Sequence, residues 1–147
     1  MELCIREMVA EDYEEAAGLW RESDGVRLTE VDTQEAIARY LRRNPGLSVV
    51  AEADGRLVGT VLAGHDCRRG YLHHLAVRSS HRRQGVGRVL VGECMARLQA
   101  AGILKAHVFV VRTNRDAQAF YAGLGWEARD DLTLMSRRMD GEGSSNG

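Results

Sequence analysis

The sequence is poor in residues that build cross-links, rigid turns or aromatic surfaces. Its 147 residues include three cysteines and one proline, and aromatic side chains make up 5%. Cys4, Cys67 and Cys94 are scattered, with no CxxC pair, which argues against a disulfide framework or a zinc site and favours a reducing compartment. We therefore expect a cytoplasmic protein that holds no metal.

Long hydrophobic segments are also absent. No apolar run reaches the roughly eighteen residues of a membrane span, and "MELCIREMVAEDYEEA" lacks the basic and apolar regions of a signal peptide, so no membrane partner is expected. Neither an internal repeat nor an interdomain linker is visible. At this length we expect a single domain over residues 1–139. Residues 140–147, "DGEGSSNG", have nothing to bury and are predicted to be a disordered tail.

Charge is concentrated in the middle of the chain, although the net charge is only −1. Residues 66–115 hold ten basic and two acidic side chains, whereas residues 1–65 hold seven and thirteen, and residues 116–147 hold three and six. A nucleic-acid-binding domain is expected to be basic more generally, with aromatic residues between its cations. The localised basic region instead favours a compact polyanionic ligand and no nucleic-acid partner.

Hydrophobic periodicity predicts a mixed α/β domain, with helices packed on a mainly antiparallel sheet. Asp12 is the expected N-cap of the first helix, Asp32 or Thr33 that of the second, and Asp54-Gly55 the turn of a hairpin. The predicted strands cover 3–7, 47–53, 57–66, 71–77, 105–111 and one or two segments within 126–139. The predicted helices cover 13–23, 33–43, 86–101 and the segment after the cap Asn114.

The basic region contains a glycine turn, "RRQGVG", between the strand "YLHHLAV" and the helix that starts at Val86. A helix N-terminus offers unpaired N–H groups and the positive end of the helix dipole, and glycine lets a phosphate approach them. The P-loop pattern GxxxxGK[ST] is absent. The dinucleotide pattern GxGxxG fails because Leu90 stands at its third glycine.

The remaining pattern, [RQ]xxGx[GA] between a strand and a helix, resembles the pyrophosphate-binding motif of the GNAT (Gcn5-related) N-acetyltransferases. The strand ends in "LAV", as is common in that family, and "NRDAQAFYAGLGW" is similar to its N-x-x-A-x-x-FY-x-x-x-G-[FW] signature. The resemblance extends to about Met139 and is strongest at 71–126. It implies a GNAT fold, with a mostly antiparallel twisted sheet of six to seven strands, four flanking helices and a cofactor cleft between splayed fourth and fifth strands.

The resemblance also implies an enzyme that transfers acetyl from acetyl-coenzyme A, as co-substrate, to an amine by direct attack in a ternary complex. The amide of Leu75 would face the acetyl carbonyl, and Val77, after Ala76, would hold the pantetheine arm. Asn114 matches a position that contacts coenzyme A in several members, and it also fits a plain helix cap. The pyrophosphate would be surrounded by the turn formed by Arg82, Arg83, Gln84, Gly85, Val86, Gly87 and Arg88.

Two catalytic residues are implied in the same way. Tyr121 matches the FY tyrosine beside the thioester sulfur, where a hydroxyl can protonate a leaving thiolate, although it also fits an aromatic core residue. His73 matches a proton-relaying histidine of the arylalkylamine branch. Another branch has a glutamate at the position of Tyr71; it is absent here, so the resemblance does not imply that branch's mechanism.

Strand alternation supports the choice of His73. Alternation puts His73 and Leu75 on one face of the strand and His74 on the other. His73 is therefore expected to point toward the acceptor, where a base can take the proton of an ammonium group, and His74 to point away from it.

The sequence specifies neither the identity of the acceptor amine nor the oligomeric state. Residues 22–36 carry acidic side chains that could attract a cationic amine, but they equally fit a solvated, helix-capping loop; these are Glu22, Asp24, Glu30, Asp32 and Glu35. Many members of the family form homodimers, yet no segment here specifies an interface. The alternative function is a non-catalytic module that senses acyl-coenzyme A with the same nucleotide site.

Overall fold

The structure is a computed structural model that describes residues 2–141. The last residues of the predicted tail, 142–147, lie outside the described residues. The strands are β1 (Cys4–Glu7), β2 (Val49–Ala53), β3 (Arg56–His65), β4 (Gly70–Val77) and β5 (Ala106–Val108). The helices are α1 (Tyr13–Arg21), α2 (Gln34–Arg43), α3 (Val86–Ala100) and α4 (Arg115–Gly123).

The strands form one sheet in the order β1-β2-β3-β4-β5. The first four are antiparallel neighbours and β5 joins β4 in parallel. β2 and β3 are linked by the predicted tight turn, in which Asp54 and Gly55 both have positive φ, 53° and 75°, as a two-residue hairpin of this type requires. The mixed α/β class and the mostly antiparallel sheet are thus confirmed.

Helices cover both faces of the sheet, and each face has its own apolar core. α1 and α2 close one face, where Trp20, Leu19 and Ile37 pack with Leu57 and Leu62 of β3. α3 and α4 close the other. Four-residue spacing places Val86, Leu90, Cys94 and Leu98 on one side of α3, and this stripe is buried there. Val89, outside the stripe, is 46% exposed.

The number of strands differs from the prediction. Residues 2–141 contain five strands rather than six or seven, because residues 126–139 form neither helix nor strand and residues 127–137 are all exposed. The strand expected over 105–111 is confined to Ala106–Val108. Beyond Val108 the chain has no neighbouring strand, and a strand persists only where its main-chain groups are paired. The edge that a sixth strand would use is therefore short.

Capping follows the sequence at two helices and departs from it at one. Thr33 caps α2 by accepting from the N–H of Ala36, and Asn114 caps α4 by accepting from the N–H of Ala117. Asp12 makes no cap bond to α1. Its carboxylate instead accepts two hydrogen bonds from Arg6, each 2.8 Å, and one from the main-chain N–H of Val9. The carboxylate therefore ties β1 to the turn before α1.

Candidate functional site

β4 and β5 lie side by side at one end only. Their parallel pairing starts at Gly70 with Ala106 and ends at Leu72 with Val108. β4 continues to Val77, so within residues 2–141 the β5 side of residues 73–77 has no strand beside it. The free N–H and C=O groups of such an edge can pair with an extended ligand. The predicted splayed cleft between the fourth and fifth strands is therefore present.

A cleft of about 1790 Å³ occupies this gap. The α1–α2 connection and α2 form one wall, residues 108–111 and α4 form the opposite wall, and the first turn of α3 closes one end. Most of the residues expected to bind the cofactor line it, with the exception of Gln84. Those that line it are Leu75, Ala76, Val77, Arg82, Arg83, Gly85, Val86, Gly87, Arg88, Asn114 and Tyr121.

The first turn of α3 presents main-chain N–H groups to the cleft. Gly85 is the N-cap with φ of 83°, and Arg83 also has a positive φ, 62°. The amide of Val89 is bonded to the Gly85 carbonyl, so the amides of the three residues between them have no acceptor inside the helix. No side chain caps this end. Such an uncapped N-terminus is suited to a phosphate group.

The side chains of the turn divide into two groups. Arg82 donates to the Val77 carbonyl at 3.1 Å and Gln84 donates to the Ser80 carbonyl at 3.3 Å, so both fasten the turn to the main chain. Arg83 and Arg88 are exposed and line the cleft. The positive field at this end therefore comes from the helix N-terminus and all three arginines, since Arg82 also lines the cleft and keeps its charge.

A bulge in β4 changes the direction of its side chains. Thr60 of β3 faces Ala76, while Leu62 faces His73, so one β3 residue lies opposite both His74 and Leu75. His74 has a φ of 53°, in the left-handed region. The extra residue resets the alternation along the strand.

The expected facing of His74 is therefore wrong, whereas His73 does point toward the cleft, although it does not share a face with Leu75. His73 and His74 both point to the α1–α2 side, where His73 contacts Tyr40 and His74 contacts Trp20. Leu75 packs into the opposite core, with α3. A strictly alternating strand could not place two consecutive residues on one face. Both imidazoles line the cleft.

His73 lies between two aromatic rings. Its ring centroid is 6.5 Å from that of Tyr40 and 6.1 Å from that of Phe109, with which it is stacked. Burial, and then the nearby charge of His74, lower the pKa of His73, against a smaller opposite effect of Asp32. The imidazole of His73 is therefore neutral at pH 7.

His74 is paired with a carboxylate that the sequence associated only with helix capping or acceptor attraction. Its Nε2 lies 2.7 Å from Oδ1 of Asp32, and both side chains are largely buried. Histidine tolerates a positive φ better than most residues, which is the one local signal for the bulge. No spacing in the sequence connects Asp32 with His74, because the two residues are 42 positions apart and only the fold brings them together.

Tyr121 and Asn114 lie on the α4 wall. Tyr121 is 7% exposed and its ring makes edge contacts with Phe120 and Trp126. Burial raises the pKa of Tyr121 to about 12, with a further contribution from Cys94, so the phenol stays protonated across the physiological range. Asn114 both caps α4 and lines the cleft, so its two predicted roles are compatible.

The wall expected to receive the acceptor is not simply acidic. Of the five acids in residues 22–36, Asp24 and Asp32 line the cleft, and Glu30 is instead paired with Arg138 at 2.6 Å. Arg27, Arg39 and Arg43 line the same wall. This wall therefore carries charges of both signs.

Within residues 2–141, no three His, Cys, Asp or Glu side chains are grouped so that they could hold a metal ion. In the same range no helix is both long and apolar enough to cross a membrane.

Comparisons with known proteins agree with this geometry. The model of the acetyltransferase (GNAT) family matches residues 6–126. An acetyltransferase of Sodalis glossinidius (strain morsitans) is 31% identical over 135 residues, which cover 92% of this chain and 94% of that protein.

Solved structures show the same fold. The PaiA N-acetyltransferase of Thermoplasma acidophilum, in complex with coenzyme A, superposes with a TM-score of 0.78 at 23% identity, over 88% of this chain and 92% of its own. Ard1 of Thermoplasma volcanium superposes with a TM-score of 0.72 at 26% identity, over 85% and 82%.

Proposed function

The chain belongs to the acetyltransferase (GNAT) family, and on that basis we propose that it transfers the acetyl group of acetyl-coenzyme A to a primary amine within a ternary complex. The observation that carries the proposal is the continuity of one cleft. It joins the unpaired edge of β4, the uncapped N-terminus of α3 and the two groups that acyl transfer needs, Tyr121 and His73.

Each part of the cleft suits one part of acetyl-coenzyme A. The amides of Gly87 and its neighbours in the first turn of α3 suit the pyrophosphate, with Arg83 and Arg88 adding positive charge. The free edge of residues 73–77 suits the pantetheine amides, which would pair with it as an added strand would. The thioester would then lie beside Leu75, whose amide N–H is a donor for the oxyanion.

Tyr121 and His73 supply the proton transfers. An amine with a lysine-like pKa of about 10.4 is mostly protonated at pH 7, and deprotonating it costs about 4–5 kcal/mol. The neutral imidazole of His73 accepts that proton or passes it on, and the free amine attacks the thioester carbonyl. The protonated phenol of Tyr121 then donates to the departing sulfur.

A module that only senses acyl-coenzyme A would need the coenzyme A site alone. It would need neither a phenol held in its protonated form nor imidazoles on the facing wall. The presence of both groups in one cleft favours catalysis over sensing.

Two measurements test the proposed function. A thermal-shift assay with coenzyme A and with an oligonucleotide identifies the ligand class, and we expect only coenzyme A to raise Tm. A mass-spectrometric screen with acetyl-coenzyme A then tests spermidine, phenethylamine, kanamycin, a peptide with a free N-terminus and Nα-blocked lysine. We expect at least one to gain an acetyl group. Stabilisation by coenzyme A without any acetylated amine supports the sensor, and stabilisation by the oligonucleotide alone overturns both readings.

A further inference from the structure

Asp32 and His74 form a carboxylate–imidazole pair on the side of the cleft formed by α2 and the α1–α2 connection, where the acceptor is expected to bind. Their contact, 2.7 Å from Asp32 Oδ1 to His74 Nε2, has the length of a charge-assisted hydrogen bond. Side-chain exposures are 8% for Asp32 and 14% for His74, so water screens the pair only weakly. Both residues line the cleft.

Hydrogen bonds and a ring contact with the surrounding protein hold both members of the pair in place. The other oxygen of Asp32 accepts from the main-chain N–H of Thr29, and the Asp32 carbonyl accepts from the hydroxyl of Tyr13 at 2.7 Å. His74 is fixed through its carbonyl, which accepts from the hydroxyl of Thr60 at 2.9 Å, and its ring centroid is 4.9 Å from that of Trp20. Contacts within the protein itself thus hold the pair in this arrangement.

The contact determines which nitrogen of His74 carries the proton. An ionised carboxylate only accepts hydrogen bonds, so Nε2 must be the N–H that donates to Asp32. In the neutral ring, Nδ1 then carries the lone pair and can accept a second proton. The resulting imidazolium would lie directly against the negative charge of Asp32.

We propose that the proton released by the acceptor ammonium group comes to rest on His74 Nδ1, that His73 or a water passes it there, and that Asp32 stabilises the imidazolium so formed. The inference rests on the proposed acetyltransferase function. Asp32 is a positioning and charge-stabilising residue in this scheme, because it acts through His74.

The neighbouring titratable groups favour His74 over His73 as the place where charge accumulates. His73 is half-buried between two aromatic rings and lies beside His74, and both factors disfavour its cationic form. Around His74 the titratable groups in contact with the pair are the imidazole of His73 and, from α1, the phenol of Tyr13, which binds the Asp32 main chain. Asp24, Arg27 and Arg39 line the same wall of the cleft. The carboxylate hydrogen-bonded to an imidazole here is that of Asp32, and its partner is His74.

The protons and electrons balance as follows. R–NH₃⁺ gives one proton to His74, and its freed lone pair forms the C–N bond to the thioester carbonyl. As the tetrahedral intermediate collapses, the C–S bond breaks and the sulfur takes its pair of electrons. The sulfur receives a proton from Tyr121. The nitrogen then loses its second proton, which passes to the oxygen of Tyr121, directly or through water, and restores the phenol. His74 finally releases its proton to solvent.

Kinetics of variants test this scheme with the amine from the panel above that has the highest kcat/KM. At pH 7 we expect His74→Gln to lower kcat by about 100-fold. The deficit should shrink toward pH 10, because bulk water then deprotonates the amine without help. Asp32→Asn keeps the shape and an acceptor oxygen but removes the charge, so the acidic limb of the kcat profile should move to lower pH and the plateau should fall.

The controls separate a chemical role from a structural one. His73→Gln should lower kcat without moving the acidic limb, and Tyr13→Phe, which removes only the bond to the Asp32 carbonyl, should also leave the limb in place. If His74→Gln retains the wild-type profile, or if His73→Gln moves the limb instead, the assignment to His74 is wrong while the acetyltransferase function stands.

A second measurement does not depend on turnover. In the full-length protein saturated with coenzyme A, ¹⁵N NMR of the histidines should show His74 with its proton on Nε2. Asp32→Asn should weaken proton binding to that ring at least tenfold. An unchanged titration in Asp32→Asn overturns the charge pairing. Failure of the wild type to acetylate any panel amine would instead refute the proposed function itself.

Discussion

Trp20 donates its indole N–H to the hydroxyl of Thr60 at 2.9 Å, and both side chains are fully buried. The same hydroxyl donates to the main-chain carbonyl of His74 at 2.9 Å. Thr60 therefore forms a polar link through an otherwise apolar core, from α1 across β3 to the bulge in β4. The link fixes the backbone at His74, whose positive φ belongs to the bulge that places both His73 and His74 in the cleft.

Thr60→Val removes this link and keeps nearly the same shape. The indole N–H and the His74 carbonyl then lose a partner inside the core, and we expect the free energy of unfolding to fall by about 1–3 kcal/mol. Urea denaturation measures it. Thr113→Val, the same change at an exposed position, should shift it by no more than about 0.5 kcal/mol. Equal effects of the two changes would contradict the role of the link.

Gly87→Asp should abolish tight binding of coenzyme A. Gly87 lies in the first turn of α3, where a Cβ would lie 3.3 Å from Phe120 and a carboxylate would repel the pyrophosphate. Isothermal titration with coenzyme A measures the loss, which we expect to exceed about 100-fold, because the change adds charge repulsion to crowding. The matched control is Gly92→Asp in the same helix, where a Cβ meets nothing within 4 Å. Unchanged affinity in Gly87→Asp would count against the whole assignment of the cleft.

Gly59 of β3 lets the start of α3 approach the sheet. A Cβ at Gly59 would lie 2.8 Å from Leu90 Cδ1 and 3.1 Å from Val86 Cγ1. We expect Gly59→Ala to destabilise the protein by about 1–3 kcal/mol through overpacking, and to weaken coenzyme A binding because the first turn of α3 is displaced. Thermal and urea unfolding, with coenzyme A titration, measure both. Gly18→Ala in α1, where the nearest atom is 4.0 Å away, should be neutral or stabilising.

Tyr121→Phe should lower kcat more than it weakens coenzyme A binding. Phenylalanine keeps the ring contacts with Phe120 and Trp126 but lacks the proton that the departing sulfur needs. A loss of about 100-fold in kcat is the size expected for one general acid. Because the pKa of Tyr121 is raised to about 12, its ionisation should not reduce kcat anywhere below about pH 11. Tyr71→Phe on β4 is the control, and wild-type turnover in Tyr121→Phe would remove the tyrosine from the chemistry.

His73 should make stability depend on pH in the acidic range. Burial lowers the pKa of His73 in the folded protein, so the unfolded chain, with its ordinary value near 6.5, binds the proton more readily. The stability contributed by His73 is therefore complete above about pH 6.5 and is lost as the pH falls below that value toward the lowered pKa. His73→Gln should flatten this part of the curve. Urea unfolding across the acidic range measures the difference, and identical slopes would contradict it.

Local patterns determined the elements that depend on nearby residues. The stripe of Val86, Leu90, Cys94 and Leu98 predicted the buried face of α3, because four-residue spacing places these side chains on one side of a helix. The Asp54-Gly55 turn and the caps Thr33 and Asn114 were equally visible, because each satisfies main-chain groups within a few residues. The strands predicted within 126–139 failed because a strand requires a neighbouring edge, and no local pattern reveals one.

The sequence by itself determined the family and predicted which residues bind coenzyme A. The turn "RRQGVG" before α3 and the segment after Asn114 carry that information within contiguous residues, and the chemistry of a helix N-terminus is local. Only the tertiary structure decided which histidine meets a carboxylate. The facing of His74 depends on a one-residue register shift between β3 and β4, and its partner Asp32 approaches from the far end of the α1–α2 connection. Both features arise from long-range packing, in which one extra residue redirects every later side chain of the strand.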